Sequence, residues 1–209
     1  MKIVNGITTA WKEPDMTVIE QLRKKSVFTE GKTYVIRILT ENDRDNYFST
    51  LVKVSSIPQI YEEEIFQDIT WQDAMTSRSS MIFAVERKSD HMYVGDCMLK
   101  QYESDHFEVG LDVSPEYQNQ GIGTEVMHML IKETRRRFPD KRIVARVYSD
   151  NEKSKHIIKS LYGKKIGEEL SEYDAAVAIL RQFDESIERK AKSIVDSFIE
   201  KHIDVYEFY

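Results

Sequence analysis

One segment constrains this chain more than any other: Val113-Ser-Pro-Glu-Tyr-Gln-Asn-Gln-Gly-Ile-Gly-Thr124, followed without a break by Glu125-Val-Met-His-Met-Leu-Ile-Lys-Glu-Thr134. Residues that favour a strand end at Val113, a glycine-bearing loop follows, and apolar residues then recur at helical spacing. The segment reads as strand, loop and helix. A helix start leaves its first amides without intrahelical acceptors and turns its positive dipole end outward. Gly121 and Gly123 remove side chains where a backbone must come close to a ligand. That combination suits an anion, above all a phosphate.

Glycine loops at helix starts serve nucleotides, dinucleotides and coenzyme A, and the flanking residues separate the three. A P-loop places Lys and then Ser or Thr after its last glycine; here Thr124 and Glu125 follow Gly123, leaving no lysine for a β- or γ-phosphate. A dinucleotide fingerprint needs three spaced glycines after an early strand, whereas this loop has two, in mid-chain. The pattern Gln118-x-x-Gly121-x-Gly123 instead resembles the pyrophosphate loop, Gln/Arg-x-x-Gly-x-Gly/Ala, of the GNAT superfamily of acyl-coenzyme-A-dependent N-acyltransferases. A second motif follows in the superfamily's order and spacing. Asn151-Glu-Lys-Ser154 opens a helical stretch where the superfamily carries Asn-x-x-Ala/Ser, whose asparagine commonly binds the pantetheine arm. The resemblance extends from Thr33 to about Glu172 and includes the last strand. Glu108-Val-Gly-Leu111 and Ser154 look most like the branch that acetylates ribosomal-protein N-termini, with polyamine acetyltransferases close by.

The remaining pattern agrees with that order of elements. Strands are expected at 33–39, 81–86, 92–100, 106–113, 142–148, 164–170 and 204–209. Helices are expected after Thr40, with Asp43 as a capping-type acid, after Pro58, across 122–137 and from Asp150-Asn151 to Leu161. The resemblance implies an α+β (α/β/α) fold with a mixed, mostly antiparallel central sheet of about seven strands and flanking helices. One feature departs from it. Ala176, Leu180, Phe183, Ile187, Ala191, Ile194 and Phe198 mark an extra long amphipathic helix before the last strand. The organisation expected is an N-terminal extension over 1–32 and one domain over 33–209, with a helical insertion at about 173–201. The insertion's apolar stripe must be buried, against its own domain or against a second copy in a homodimer.

Composition excludes several functions. No apolar run approaches the ~20 residues of a membrane span, and the first residues lack the apolar core of a signal peptide, so a cytoplasmic protein is expected, with no membrane partner. A net charge of −6 argues against a nucleic-acid partner and suits a cationic substrate. The single Cys97 rules out an intramolecular disulfide, and five scattered histidines give no metal-ligand spacing, so no metal is expected. Glu62-Glu63-Glu64 reads as a solvated helical face, with an acidic acceptor groove as the sharper alternative.

The resemblance implies an acetyl-CoA-dependent N-acetyltransferase with a primary amine as acceptor. Acetyl transfer needs a neutral amine, a site for the developing oxyanion and a proton for the departing thiolate. Glu108, beside the loop, is the candidate base, although alternation with Phe107 and Val109 does not separate that role from an outward-facing glutamate. Gly110 in mid-strand suggests a bulge or a close backbone approach; a bulge would splay this strand from the next and free amides near Leu111, Asp112 and Val113 for the thioester oxygen. Gln118, Asn119, Gln120, Gly121, Ile122, Gly123 and Thr124 would hold the coenzyme's phosphates, and Asn151 and Ser154 its arm. The tyrosine that many members use as proton donor, seven residues after the asparagine, is Ile158 here. Ser154 is the first alternative donor and Tyr162, about one turn beyond Ile158, the second. The rival reading is a non-catalytic acyl-CoA-binding or assembly protein that kept the loop without the proton machinery.

Overall fold

The computed structural model describes residues 18–55, 58–100, 105–170 and 202–209. The insertion expected at about 173–201, and the part of the expected extension before residue 18, lie outside the described residues. The strands are β1 (Val27–Glu30), β2 (Tyr34–Ile38), β3 (Ser80–Arg87), β4 (Met92–Lys100), β5 (His106–Val113), β6 (Arg142–Tyr148), β7 (Lys164–Leu170) and β8 (His202–Phe208). They form one sheet in the order β1-β2-β3-β4-β5-β6-β8-β7. Every neighbouring pair is antiparallel except β5 with β6, which are parallel. The α-helices are α1 (Val18–Leu22), α2 (Arg44–Val54), α3 (Glu64–Thr76), α4 (Ile122–Arg137) and α5 (Glu152–Ser160).

The eighth strand is β1, which the sequence hides because it is only four residues long. Phe28 is 3% exposed and its ring lies 4.6 Å from that of Phe83, while Ile19 of α1 is fully buried in the same core. The β1–β2 hairpin spans the boundary expected after residue 32, and Ile19, Leu22 and Phe28 ahead of that boundary are buried in the core. The arginine run at the end of α4 is an anchor for this edge: Arg137 bonds to Glu133 and donates to the Phe28 carbonyl at 2.8 Å.

Strand alternation divides the interior in two. Phe107 and Val109 of β5 join Val126 and Leu130 of α4 and Ile158 of α5 in one core. On the other face, Tyr47 and Phe48 of α2, Trp71 of α3, Ala84 and Tyr93 form a second, aromatic core. Glu108, Gly110 and Asp112 alternate with the first set and face the second side. The capping expected at Thr40 is present: its amide donates to Asp43 Oδ2 at 2.8 Å, ahead of α2.

The sheet opens at one place. β5 and β6 pair only from His106↔Arg142 to Glu108↔Val144, although β5 continues to Val113 and β6 to Tyr148. Each strand stays with its outer neighbour, β5 with β4 as far as Gly95↔Val113 and β6 with β8 as far as Tyr148↔Ile203, so the twist separates them. The bulge expected at Gly110 is not the cause. The β4–β5 register runs unbroken through Met98↔Gly110, and the irregularity lies one strand away, where Val94 is an extra residue opposite Val85 and Glu86.

Candidate active site

The loop expected to hold an anion has its amides ready for one. After β5, Pro115–Tyr117 make a single 3-10 turn, and Gln118 Nε2 donates back to the Val113 carbonyl at 2.9 Å. Lys153 Nζ donates to Gln118 Oε1 at 3.1 Å, which ties the loop to α5. Gly121 caps α4 at φ 79°, a left-handed conformation, and a Cβ there would meet nothing within 4 Å. Gly123 is also close to α5: its missing Cβ would lie 2.6 Å from Ile157 Cδ1, so this glycine seats α5 against the loop. Among the described residues, the amides of 119–124 have no acceptor, and the first filled helical bond is Glu125 N–H to the Gly121 carbonyl at 3.1 Å. The Gln120 side chain turns back to the Glu116 carbonyl and Ile122 is core, so those two offer only backbone.

Two cavities, of about 550 and 850 Å³, meet where the sheet opens. The smaller lies between the splayed strands and includes Glu108, Gly110, Arg146 and Tyr148; the larger runs to Gln118, Asn119, Gly121, Gly123 and Thr124. Both are lined by Leu111, Asp112, Asn151 and Ser154. The Ser114 amide donates to the Val94 carbonyl at 3.0 Å, toward β4. Strand alternation then turns the amides of Leu111 and Val113 to the opposite edge, beyond Glu108↔Val144, where β6 has left the ladder.

Of the expected chemical residues, Glu108 lines the smaller cavity and is 8% exposed. Asn151 caps α5 by accepting the Ser154 amide at 3.0 Å, which holds both residues at the junction of the cavities. Tyr162 does not join them. The helix ends at Ser160, so the expected continuation of the helical face fails; Tyr162 sits beyond it at φ 61°, is 87% exposed and lines neither cavity. Ile158, in the superfamily's usual tyrosine position, is packed into the core at 3% exposure. Glu62, Glu63 and Glu64 are exposed and likewise line neither cavity.

The model of the Acetyltransferase (GNAT) domain family matches residues 34–162. The chain belongs to this family. Among solved structures, a spermidine N-acetyltransferase from Vibrio cholerae, in complex with CoA and spermine, is similar with a TM-score of 0.63 and 14% identity, covering 85% of this chain and 96% of that one. RimL, a ribosomal alpha-N-protein acetyltransferase in complex with coenzyme A, gives 0.62 and 13%, over 87% and 96% of the two chains. An acetyltransferase of the GNAT family from Bacillus anthracis gives 0.61 and 15%, over 86% and 96%. These similarities establish the shared fold. No curated protein sequence matches the chain.

Within this GNAT site the structure adds a group that sequence reasoning missed. Asp96 of β4 lies directly across from Asp112, and the Tyr93 hydroxyl donates to Asp96 Oδ2 at 2.9 Å. Burial pushes both carboxyls above their ordinary range, and the charge of Asp112 adds to the effect on Asp96. Asp112 had been expected to contribute backbone alone. The legible signal was an acid inside each of two apolar strands, Gly95-Asp-Cys-Met-Leu and Gly110-Leu-Asp-Val.

Proposed function

We propose that this protein is an N-acetyltransferase that moves the acetyl group of acetyl-CoA to a primary amine, by direct attack while donor and acceptor are both bound. The observation that carries this reading is the opening between β5 and β6, where the two cavities converge beside the edge amides of Leu111 and Val113. The residues fit the donor. The amides of 119–124, at the positive end of α4, suit a pyrophosphate. The Leu111 and Val113 amides suit the pantetheine arm and the thioester oxygen, with Asn151 beside the arm. Acetyl-CoA supplies an activated acyl carbon; the chain's own part is to hold it, bring in the amine and move protons. Glu108 takes a proton from the amine and the Ser154 hydroxyl serves the departing sulfur. Two enzymes sharing this fold act on amines by their names, one on spermidine and one on a protein N-terminus. The acceptor is accordingly a small-molecule amine or a protein or peptide N-terminus.

The test is acetyl-CoA-dependent thiol release against polyamines, aminoglycosides, amino acids and basic peptides, with thermal shift by coenzyme A alongside. Turnover with one class is expected, and Glu108→Gln should lower kcat by about 10²–10⁴-fold while the coenzyme shift remains. A shift without turnover on any acceptor would support the non-catalytic acyl-CoA-binding reading, which the burial of Ile158 in place of a tyrosine favours.

A further inference from the structure

The two carboxyls on one face of β5 do not stand in equivalent places. Glu108 lines only the smaller cavity, whereas Asp112 lines both and so stands at their junction with Asn151 and Ser154. The position of Asp112 is built by its neighbours. The extra residue Val94 puts Tyr93 and Asp96, three apart, on one side of the strand, and Gly95 makes this fit at φ 155°, where a Cβ would lie 2.1 Å from the Asp112 carbonyl oxygen. The groups around the pair are Tyr47 from α2, Tyr61 from the turn Pro58–Glu62 and Tyr93 from β4, with the acid Asp73 near Tyr47 and Asp43 near Tyr93. The cations that line the cavities are engaged elsewhere: Lys53 with Glu116, Arg146 with Glu169 and Lys153 with Gln118; His156 lies exposed on α5. The junction thus holds a carboxyl with tyrosines and a second carboxyl around it, and no described cation on it.

We propose that Asp112 is a second catalytic residue, the acceptor of the proton with which a cationic amine arrives. This rests on the reading of the site as an amine acetyltransferase. A cationic amine brings three N–H protons and keeps one in the amide. The first leaves to Asp112, which exposes the nitrogen lone pair. After the N–C bond forms, the second leaves to Glu108; the C–S bond breaks and sulfur takes a proton through Ser154. One carboxyl proton then restores Ser154 and the other goes to solvent. About 13 Å of strand separates the two carboxyl-bearing positions, a span that two side chains and one water can bridge. Burial, which raises Asp112, makes it a stronger base than a solvated aspartate.

The test is the pH profile of kcat/KM for Asp112→Asn, Asp96→Asn and Glu108→Gln with the best simple alkylamine of the acceptor panel. Asp112→Asn should lose about 10²-fold at pH 7 and recover toward the wild type near pH ~10, where a substantial fraction of the amine arrives already neutral. Glu108→Gln should stay impaired at both. Asp96→Asn, which keeps the shape of the neighbour that plays no part in the transfer, should stay within about threefold of the wild type throughout. A loss in Asp112→Asn that is flat with pH, or no loss, overturns the assignment, as does an Asp96→Asn as inactive as Asp112→Asn. Coenzyme-induced thermal shift of each variant reports an intact site; should Asp112→Asn lack it, restoration of Asp112→Ala by added formate replaces that arm, and failure of formate counts against the proposal. Absence of wild-type turnover on the whole panel overturns both this inference and the reading beneath it.

Discussion

Two acidic clusters share one face of the sheet and are treated in opposite ways. In the first, Arg37 Nη1 and Nη2 each lie 2.8 Å from an Asp43 carboxylate oxygen, and its Nε lies 2.7 Å from Glu86. Burial pushes Asp43 up, but the bonds from Arg37 and Thr40 outweigh it and hold the carboxyl below its ordinary range. Glu86 is lowered in the same way, with burial opposing Arg37 and His91. In the second, Asp96 and Asp112 have tyrosines and each other as neighbours, and both are raised. The contrast separates acids that hold the fold from acids that await a ligand: a carboxylate already matched by a fork of donors has its work done within the chain. One left basic at a cavity junction is set for an incoming cation.

The largest effect should come from breaking the first cluster. Arg37→Met leaves two carboxylates near the sheet without their cation, and stability should fall by about 3–5 kcal/mol at pH 7. The sign with pH follows from the lowered values. Carboxyls with depressed folded pKa values contribute stability above their unfolded values of ~3.9 and ~4.3, and that contribution disappears as pH falls through the folded ones. Urea unfolding of the variant and the wild type should therefore converge toward pH ~2. An equal gap at pH 2 and pH 7 would mean that packing, not charge pairing, makes Arg37 structural.

Sequence reading reached these clusters unequally, and the reason is geometric. Strands such as His106–Val113 and Arg142–Tyr148 were legible because apolar alternation and glycine punctuation are local, and the anion loop was legible because Gln118, Gly121 and Gly123 occupy six consecutive residues. What joins Arg37 to Glu86, or Asp96 to Asp112, is strand register, which no single window contains. The bulge was expected at Gly110, the glycine beside the catalytic candidate, but the chain inserts its extra residue next to Gly95, where the clash of a Cβ with the Asp112 carbonyl is decided by the neighbouring strand. Tyr162 failed for a local reason that spacing does not report: α5 ends two residues before it.

A smaller effect sharpens the second cluster without touching the first. The folded-state pKa of Asp96 is raised, so its contribution to stability is present below the unfolded value of ~3.9 and is lost as pH rises through the folded value. Asn has no proton to lose. Asp96→Asn should match the wild type below pH ~4 and exceed it increasingly as pH rises, by about 2–4 °C in Tm for each 1 kcal/mol recovered. A variant that gains nothing above pH 9 would show that Asp96 ionises in the folded chain as readily as in the unfolded one, because water reaches it.

The smallest effects distinguish the two glycines of the loop, and they should separate stability from affinity. At Gly121 an added methyl finds open space but meets a backbone at φ 79°, which costs an alanine about 1–2 kcal/mol and leaves the loop's amides pointing as before if the cap holds. At Gly123 the backbone is ordinary and alanine favours the helix by up to ~1 kcal/mol, offsetting a methyl placed 2.6 Å from Ile157 Cδ1, the flexible end of its side chain. Stability should hardly change there. But Ile157 lines both cavities on the helix that Asn151 caps, so relief of the clash moves the arm-binding residues instead. Gly121→Ala should therefore lower Tm with coenzyme affinity retained, and Gly123→Ala should weaken coenzyme binding a few-fold, under about 1 kcal/mol, with Tm unchanged. If calorimetry finds the two effects exchanged, Gly121 is the residue that meets the phosphate directly, and the role given to Gly123 as the seat of α5 is wrong.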